Sequence, residues 1–291
     1  MFKALFNFIL FSSIYIAICA VCMTWQTNVL LALNYDATDY YKFVFFATLC
    51  SYNFHWYLTP VSLDASHRIQ WGAGKRRLQM AFTILGGLAS AYYVIPLLQH
   101  WFWIAIAMVM TFLYSAPKIP HPLARHLQKV AFGKTLFLTF VWTYVTTTLP
   151  GLIAGNWEWL PFLALNIHRF FLIYAICILF DWRDKVPDKA AGIRSLITYM
   201  DDRHLFMLYF ACLAVSGIAA ISLLPHTPTW IVATLLVPVI IIATIRKFAQ
   251  KNTNDYVYYF VLDGMMAFSA FLHILTLILL HPGVRLEYLH L

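Results

Sequence analysis

The chain has 291 residues, of which 62% are hydrophobic and only 11% charged, with a mean hydropathy of +0.73. A water-soluble domain of this length needs a far more polar surface, so composition excludes one and predicts a polytopic membrane protein. A net charge of +8 would suggest nucleic acid for a soluble chain. In a membrane protein, basic residues retained on the cytoplasmic side explain it, and no nucleic-acid partner is expected.

The N-terminus carries Lys3 and then a long apolar run without a small-residue cleavage site, which reads as an uncleaved first helix. Apolar runs long enough to span fall at about 5–24, 40–59, 78–98, 101–116, 133–153, 159–180, 204–224, 229–246 and 257–280. The expectation is therefore an all-α fold of about nine transmembrane helices in one domain, 1–291. The third and fourth runs join through Gln99-His100 and predict an antiparallel hairpin. Cys19 and Cys22 form a C-x-x-C inside the first run, without a second ligand pair, and read as packing residues.

Placing the N-terminus in the cytoplasm puts 17 of the 20 lysines and arginines on that side. Trp101, Trp103, Trp157, Trp159 and Trp230 then fall at the outer interface. The expected location is an inner (plasma) membrane of bacterial type. The loops after the second, fourth and sixth helices all emerge into the cytoplasm.

The most informative of these loops follows the sixth run and begins Asp181-Trp-Arg-Asp184-Lys-Val-Pro-Asp188-Lys-Ala-Ala-Gly192-Ile-Arg194-Ser-Leu196. Its aspartates stand at i, i+3 and i+7, so a helix continued through them puts all three on one face. Pro187 argues that the regular helix weakens there. Clustered carboxylates repel unless a cation sits among them, and hard oxygen ligands are what Mg²⁺ takes.

This stretch resembles the second aspartate-rich motif of the UbiA superfamily of intramembrane prenyltransferases, roughly D-x-x-D-x-x-x-D-x-x-x-G-[IV]-[KR]-[ST]-L, at every fixed position. The resemblance implies a helical bundle around a central cavity, with Mg²⁺-diphosphate at its cytoplasmic mouth. It implies a prenyl group moved from a polyprenyl diphosphate to a hydrophobic acceptor. The family's first motif, N-D-x-x-D-x-x-x-D, departs sharply here: Asn53 remains, but Phe54, Tyr57 and Val61 stand where its aspartates should be. Asp64 is three residues late, and Gly72-Ala-Gly74-Lys75 matches the family's basic loop only loosely.

On this reading Asp181, Asp184 and Asp188 carry Mg²⁺; Arg68, Lys75, Lys134 and Arg194 contact diphosphate; and Asn53 orients the ligand. A single metal suffices in principle, because Mg²⁺ in phosphate sites often uses one or two carboxylates with water and phosphate oxygens. Two alternatives share these features: a non-catalytic member that only binds an isoprenoid diphosphate, and an intramembrane terpene cyclase without a separate acceptor. A phosphatidyl-alcohol transferase needs a glycine after its early aspartate, where Lys185 stands. A secondary transporter predicts repeated broken helices in two halves, and the sequence has no such symmetry.

Polar residues inside spans need partners. Arg169 and Asp263 are read as a buried pair, with a cavity-lining role as the other reading, and His273 as a satisfied bundle residue. Arg76 and Arg77 read as topogenic charge beside a helix start.

Overall fold

The computed structural model describes residues 2–59, 66–115, 134–190 and 200–280, side chains of Lys134, of 186–190 and of Leu280 excepted. Among these residues there are helices and no strand. In chain order they are α1 (Phe2–Phe11), α2 (Ile14–Leu30), α3 (Ala37–Tyr57), α4 (His67–Ala73), α5 (Arg76–Tyr93), α6 (Trp101–Ser115), α7 (Lys134–Thr143), α8 (Leu149–Ala154), α9 (Trp159–Ala190), α10 (Asp202–Ile221), α11 (Thr229–Lys251) and α12 (Asp263–Leu280). A membrane-spanning backbone must satisfy its own polar groups, and helices do this within one segment.

Six described helical stretches are long and apolar enough to cross a membrane, or seven if the bent pair α1 and α2 counts as one span. The expected count of nine is not confirmed among the described residues. The two shortfalls are α3 and α5, which are helices of 21 and 18 residues but are diluted by polar groups. Asp39, Lys42, Asn53 and His55 lie on α3, and Arg76, Arg77 and Gln79 on α5. The link through Gln99-His100 is a 3-10 turn, Ile95–His100, that runs directly into α6.

The chain forms two compact units: Met1–Val21 with Asp36–Gln128, and Cys22–Tyr35 with Lys129–Leu291. In the first, α3 packs chiefly against α5. Gly86 permits this approach, because a Cβ there would stand 2.9 Å from the Phe46 carbonyl oxygen and 3.0 Å from the Cys50 nitrogen. Asp36 caps α3, its carboxylate accepting from the Thr38 N–H at 3.1 Å.

The first apolar run is not one straight helix. It breaks at Ser12-Ser13, with a 61° bend between α1 and α2 and Ser13 in the left-handed region at φ 68°. A break frees carbonyls at the end of α1, and these must find donors. Asn53 on α3 donates its amide to Ser12 O at 2.9 Å. Arg68 on α4 donates to Ser13 Oγ at 3.3 Å and makes a longer contact of 3.5 Å to Leu10 O. No proline or glycine announces this break.

The second unit is built on α9, whose run from Leu172 to Leu179 is buried throughout. It packs against α10, α7 and α11. A smaller apolar cluster joins Ala164 of α9 to Ala220, Leu223, Val232 and Leu235. Two π-helical segments interrupt the bundle, Tyr144–Thr148 before α8 and Val257–Leu262 before α12.

One of these segments frames the buried Arg169. Its guanidinium donates to Thr27 Oγ1 (2.6 Å), Thr147 Oγ1 (3.0 Å), Thr146 O (3.1 Å) and Gln26 Oε1 (3.2 Å). Ser269 of α12 also donates to that Gln26 oxygen, at 2.9 Å. The expected pairing with Asp263 is absent: every partner of Arg169 among the described residues is a neutral oxygen. The π-segment supplies two of them, and so replaces the carboxylate as acceptor. His273 lies fully buried between the rings of Trp25 and Trp230, at 5.3 and 5.4 Å, and neither ring nitrogen makes a hydrogen bond among the described residues.

Candidate functional site

The acidic motif occupies the last turns of α9, which continues through Pro187 to Ala190. Asp181 and Asp184 therefore stand one turn apart, with Asp188 one turn further along the same helix. The side chain of Asp188, and Arg194 altogether, lie outside the described residues. Lys134 is the first residue of α7, and its side chain is likewise not described.

Asp181 accepts a short hydrogen bond from the Thr135 hydroxyl of α7, which ties the acidic helix to its neighbour. Asp184 is held differently. Arg183 grips it with Nε on Oδ1 at 2.8 Å and Nη2 on Oδ2 at 3.3 Å. The same guanidinium lies 4.3 Å from the centre of the Tyr258 ring, contacts the Tyr259 hydroxyl at 3.4 Å and reaches buried Asp255 at 3.8 Å. Arg183 thus joins the motif to the π-segment that leads into α12. Lys185 turns the other way and donates to Asp202 Oδ1 at 2.8 Å and Met200 O at 3.2 Å.

The donor set suits Mg²⁺ by chemistry: three carboxylates at one-turn spacing, with no sulfur or imidazole among them. Among the described residues no three carboxylate, imidazole or thiol groups already stand together as a metal cluster. Asp184 would have to exchange its arginine for the metal.

The basic and amide candidates of the other unit are placed as follows. Asn53 is buried and gives its amide N–H groups to Ser12 O and to Leu49 O, at 2.9 and 2.8 Å; its Oδ1 accepts nothing among the described residues. Arg68 is buried and lies 4.2 Å from the centre of the Trp56 ring. Lys75 is exposed beside the start of α5, its ammonium 5.6 Å from the Trp71 ring centre. Phe54 and Tyr57 occupy their first-motif positions half-buried, and Arg76 lies 5.7 Å from the Tyr57 ring centre. Val61 and Asp64 fall outside the described residues.

The sequence reading assigned no separate role to Arg183, Thr135, Asp255 or Tyr259. Adjacency in sequence hinted at the first of these. The others come from segments 46 to 76 residues away, and no spacing announces them.

A family model, the UbiA prenyltransferase family, matches residues 65–275. The chain belongs to the UbiA prenyltransferase family. The matched stretch includes the acidic motif and begins just past Asn53–Val61, where the first motif has lost its aspartates. No curated protein and no solved structure matches the chain. Membership, together with the apolar helices, makes this an integral membrane protein with a prenyl-related function.

Proposed function

We propose that this UbiA-family chain is a Mg²⁺-dependent transferase that moves a prenyl group from a polyprenyl diphosphate to a hydrophobic acceptor. The observation that carries the reading is the run of aspartates at one-turn spacing on the end of α9, inside the stretch that matches the family. Asp181, Asp184 and Asp188 would hold the metal. When bound, Mg²⁺ supplies neutralisation of the diphosphate charge, and so makes it a better leaving group.

The chain's own groups would do the rest. Arg68, Lys75, Lys134 and Arg194 would take up phosphate charge that develops as the bond between the prenyl carbon and the diphosphate oxygen breaks. The electron pair leaves with the diphosphate; a new bond forms to the acceptor, which gives up a proton. Apolar helix walls would exclude water, so that the chain is not lost to hydrolysis. Asn53, through its Oδ1, would orient the ligand. The motif side and the N-terminus would face the cytoplasm.

The lost first motif favours a second reading: the chain binds an isoprenoid diphosphate without turning it over. Incubating the purified protein with a polyprenyl diphosphate, Mg²⁺ and a panel of aromatic acceptors separates the two. Release of diphosphate with a prenylated product supports transfer. Release with a cyclised product and no acceptor points to a cyclase. Mg²⁺-dependent binding without release in every case supports the binding-only reading.

A further inference from the structure

The Arg183 guanidinium presents two edges, and only one of them is closed. The edge formed by Nε and Nη2 grips Asp184, at 2.8 and 3.3 Å. The far edge is aimed at the segment that leads into α12. There Nη2 reaches the Tyr259 hydroxyl at 3.4 Å, and Nη1 stands 3.8 Å from Asp255 Oδ1. That Nη1 is buried and makes no hydrogen bond among the described residues. A buried guanidinium nitrogen left so is costly, and 3.8 Å is too long for a hydrogen bond to relieve it.

The two carboxylates differ in how far they depend on the arginine. The Asp184 side chain is 43% exposed and the Asp255 side chain 3%. Water can solvate the first, whereas a carboxylate as buried as the second keeps its charge only beside a cation. The ring centres of Tyr258, Tyr259 and Phe180 lie 4.3, 5.5 and 5.6 Å from the guanidinium carbon. These faces favour a cation in the same place whichever carboxylate it serves. Reaching Asp255 at the length of a charge-assisted hydrogen bond takes a shift of roughly 1 Å. A divalent cation at Asp184 drives that shift, because it takes the same carboxylate oxygens and repels the guanidinium.

We propose that Arg183 is a transferable counter-ion, with Asp255 as its second seat. Without a metal it closes Asp184. When a divalent cation occupies Asp184, the guanidinium passes to Asp255 and the Tyr259 hydroxyl. Only hydrogen bonds are exchanged, and no proton moves. Arg183 and Asp255 are thus positioning residues, which act on the metal through Asp184. The proposal rests on the metal role proposed for Asp184 and adds to it a residue outside the acidic motif. It also ties occupation of the acidic end of α9 to the segment before α12.

The test is a calorimetric titration of the full-length protein in detergent with Mg²⁺ alone, no diphosphate being present. Asp255→Asn is expected to bind Mg²⁺ about fivefold more weakly than the parent, since the displaced guanidinium loses its charged acceptor. In an Arg183→Met background the same substitution is expected to change nothing, because no guanidinium then needs a seat. Asp255→Glu keeps the charge and is expected to recover most of the loss. Tyr259→Phe removes only a hydroxyl and is expected to lose about twofold, again only where Arg183 is present. It decides the matter if thermal unfolding shows that Asp255→Asn does not fold.

If Asp184→Asn abolishes Mg²⁺ binding while Asp255→Asn and Tyr259→Phe bind as the parent does, the metal reading stands and this proposal falls. An equal loss with and without Arg183 also overturns it, since Asp255 would then support the fold or touch the metal itself. Absence of Mg²⁺ binding in the parent and in Arg183→Met, or binding that Asp184→Asn leaves unaltered, overturns both.

Discussion

Arg183 holds the carboxylate of Asp184 through two hydrogen bonds, at 2.8 and 3.3 Å, so the middle aspartate of the acidic motif is gripped by its own neighbour in the chain. The fork geometry of arginine suits this, and lysine could not reproduce it. A metal that takes Asp184 must displace the guanidinium. Arg183→Met is therefore expected to bind Mg²⁺ more tightly than the parent protein, by a factor of several. The same variant is expected to melt earlier, because Arg183 also links Asp255 and Tyr259 to α9. Titration with Mg²⁺ in the absence of any diphosphate measures the first effect; unchanged affinity would rule out competition.

Asn53 serves the helix break at Ser12-Ser13 through its bond to Ser12 O. Asn53→Ala loses that bond and the one to Leu49 O, and is expected to destabilise the protein by about 1–2 kcal/mol. Thermal unfolding in detergent reads this directly. If ligand affinity falls while the transition stays put, Asn53 acts on the ligand and not on the break.

Arg169 binds four neutral oxygens from two segments of the second unit, α2 and the π-segment before α8. Arg169→Lys keeps the charge but not the fork, and Arg169→Met keeps neither. Both are expected to lose about 2–4 kcal/mol, with lysine recovering little, because geometry and not charge is what the π-segment demands. Full recovery by lysine in the unfolding measurement would contradict this.

Asp201 caps α10, accepting from the His204 backbone N–H at 2.8 Å. That bond, followed by the contact with the His204 side chain, holds its carboxyl below the ordinary 3.8. A carboxyl lowered on folding stabilises the protein above its unfolded value and loses that contribution as the pH falls through its folded one. The cap is therefore present at neutral pH and weakens only below about 3.8. Asp201→Asn, which caps without titrating, should flatten this acid limb in melting scans between pH 5 and pH 2.

The sequence made the helices legible wherever apolar runs were long and uninterrupted, as in α9 and α11. The spans expected at α3 and α5 are not confirmed, because polar groups such as Asp39, Lys42 and Asn53 on α3 and Arg76 and Arg77 on α5 dilute their hydropathy. The break at Ser12-Ser13 left no signal, because its cause is not local: the donors that make it tolerable come from 41 and 55 residues away. The acidic motif was readable because its chemistry sits on one helix turn after another. Arg169 was correctly singled out as needing partners. Its acceptors were misjudged, because a π-segment exposes carbonyl oxygens that no residue pattern announces.

The central claim is that the acidic end of α9 binds a diphosphate through Mg²⁺, and calorimetric titration with a polyprenyl diphosphate tests it most directly. The titration is run with Mg²⁺ and with EDTA, on the parent protein and on Asp184→Asn. The account predicts that Mg²⁺ tightens binding in the parent and that Asp184→Asn abolishes the gain. Equal affinity with metal and with chelator, unaltered by the substitution, would contradict it.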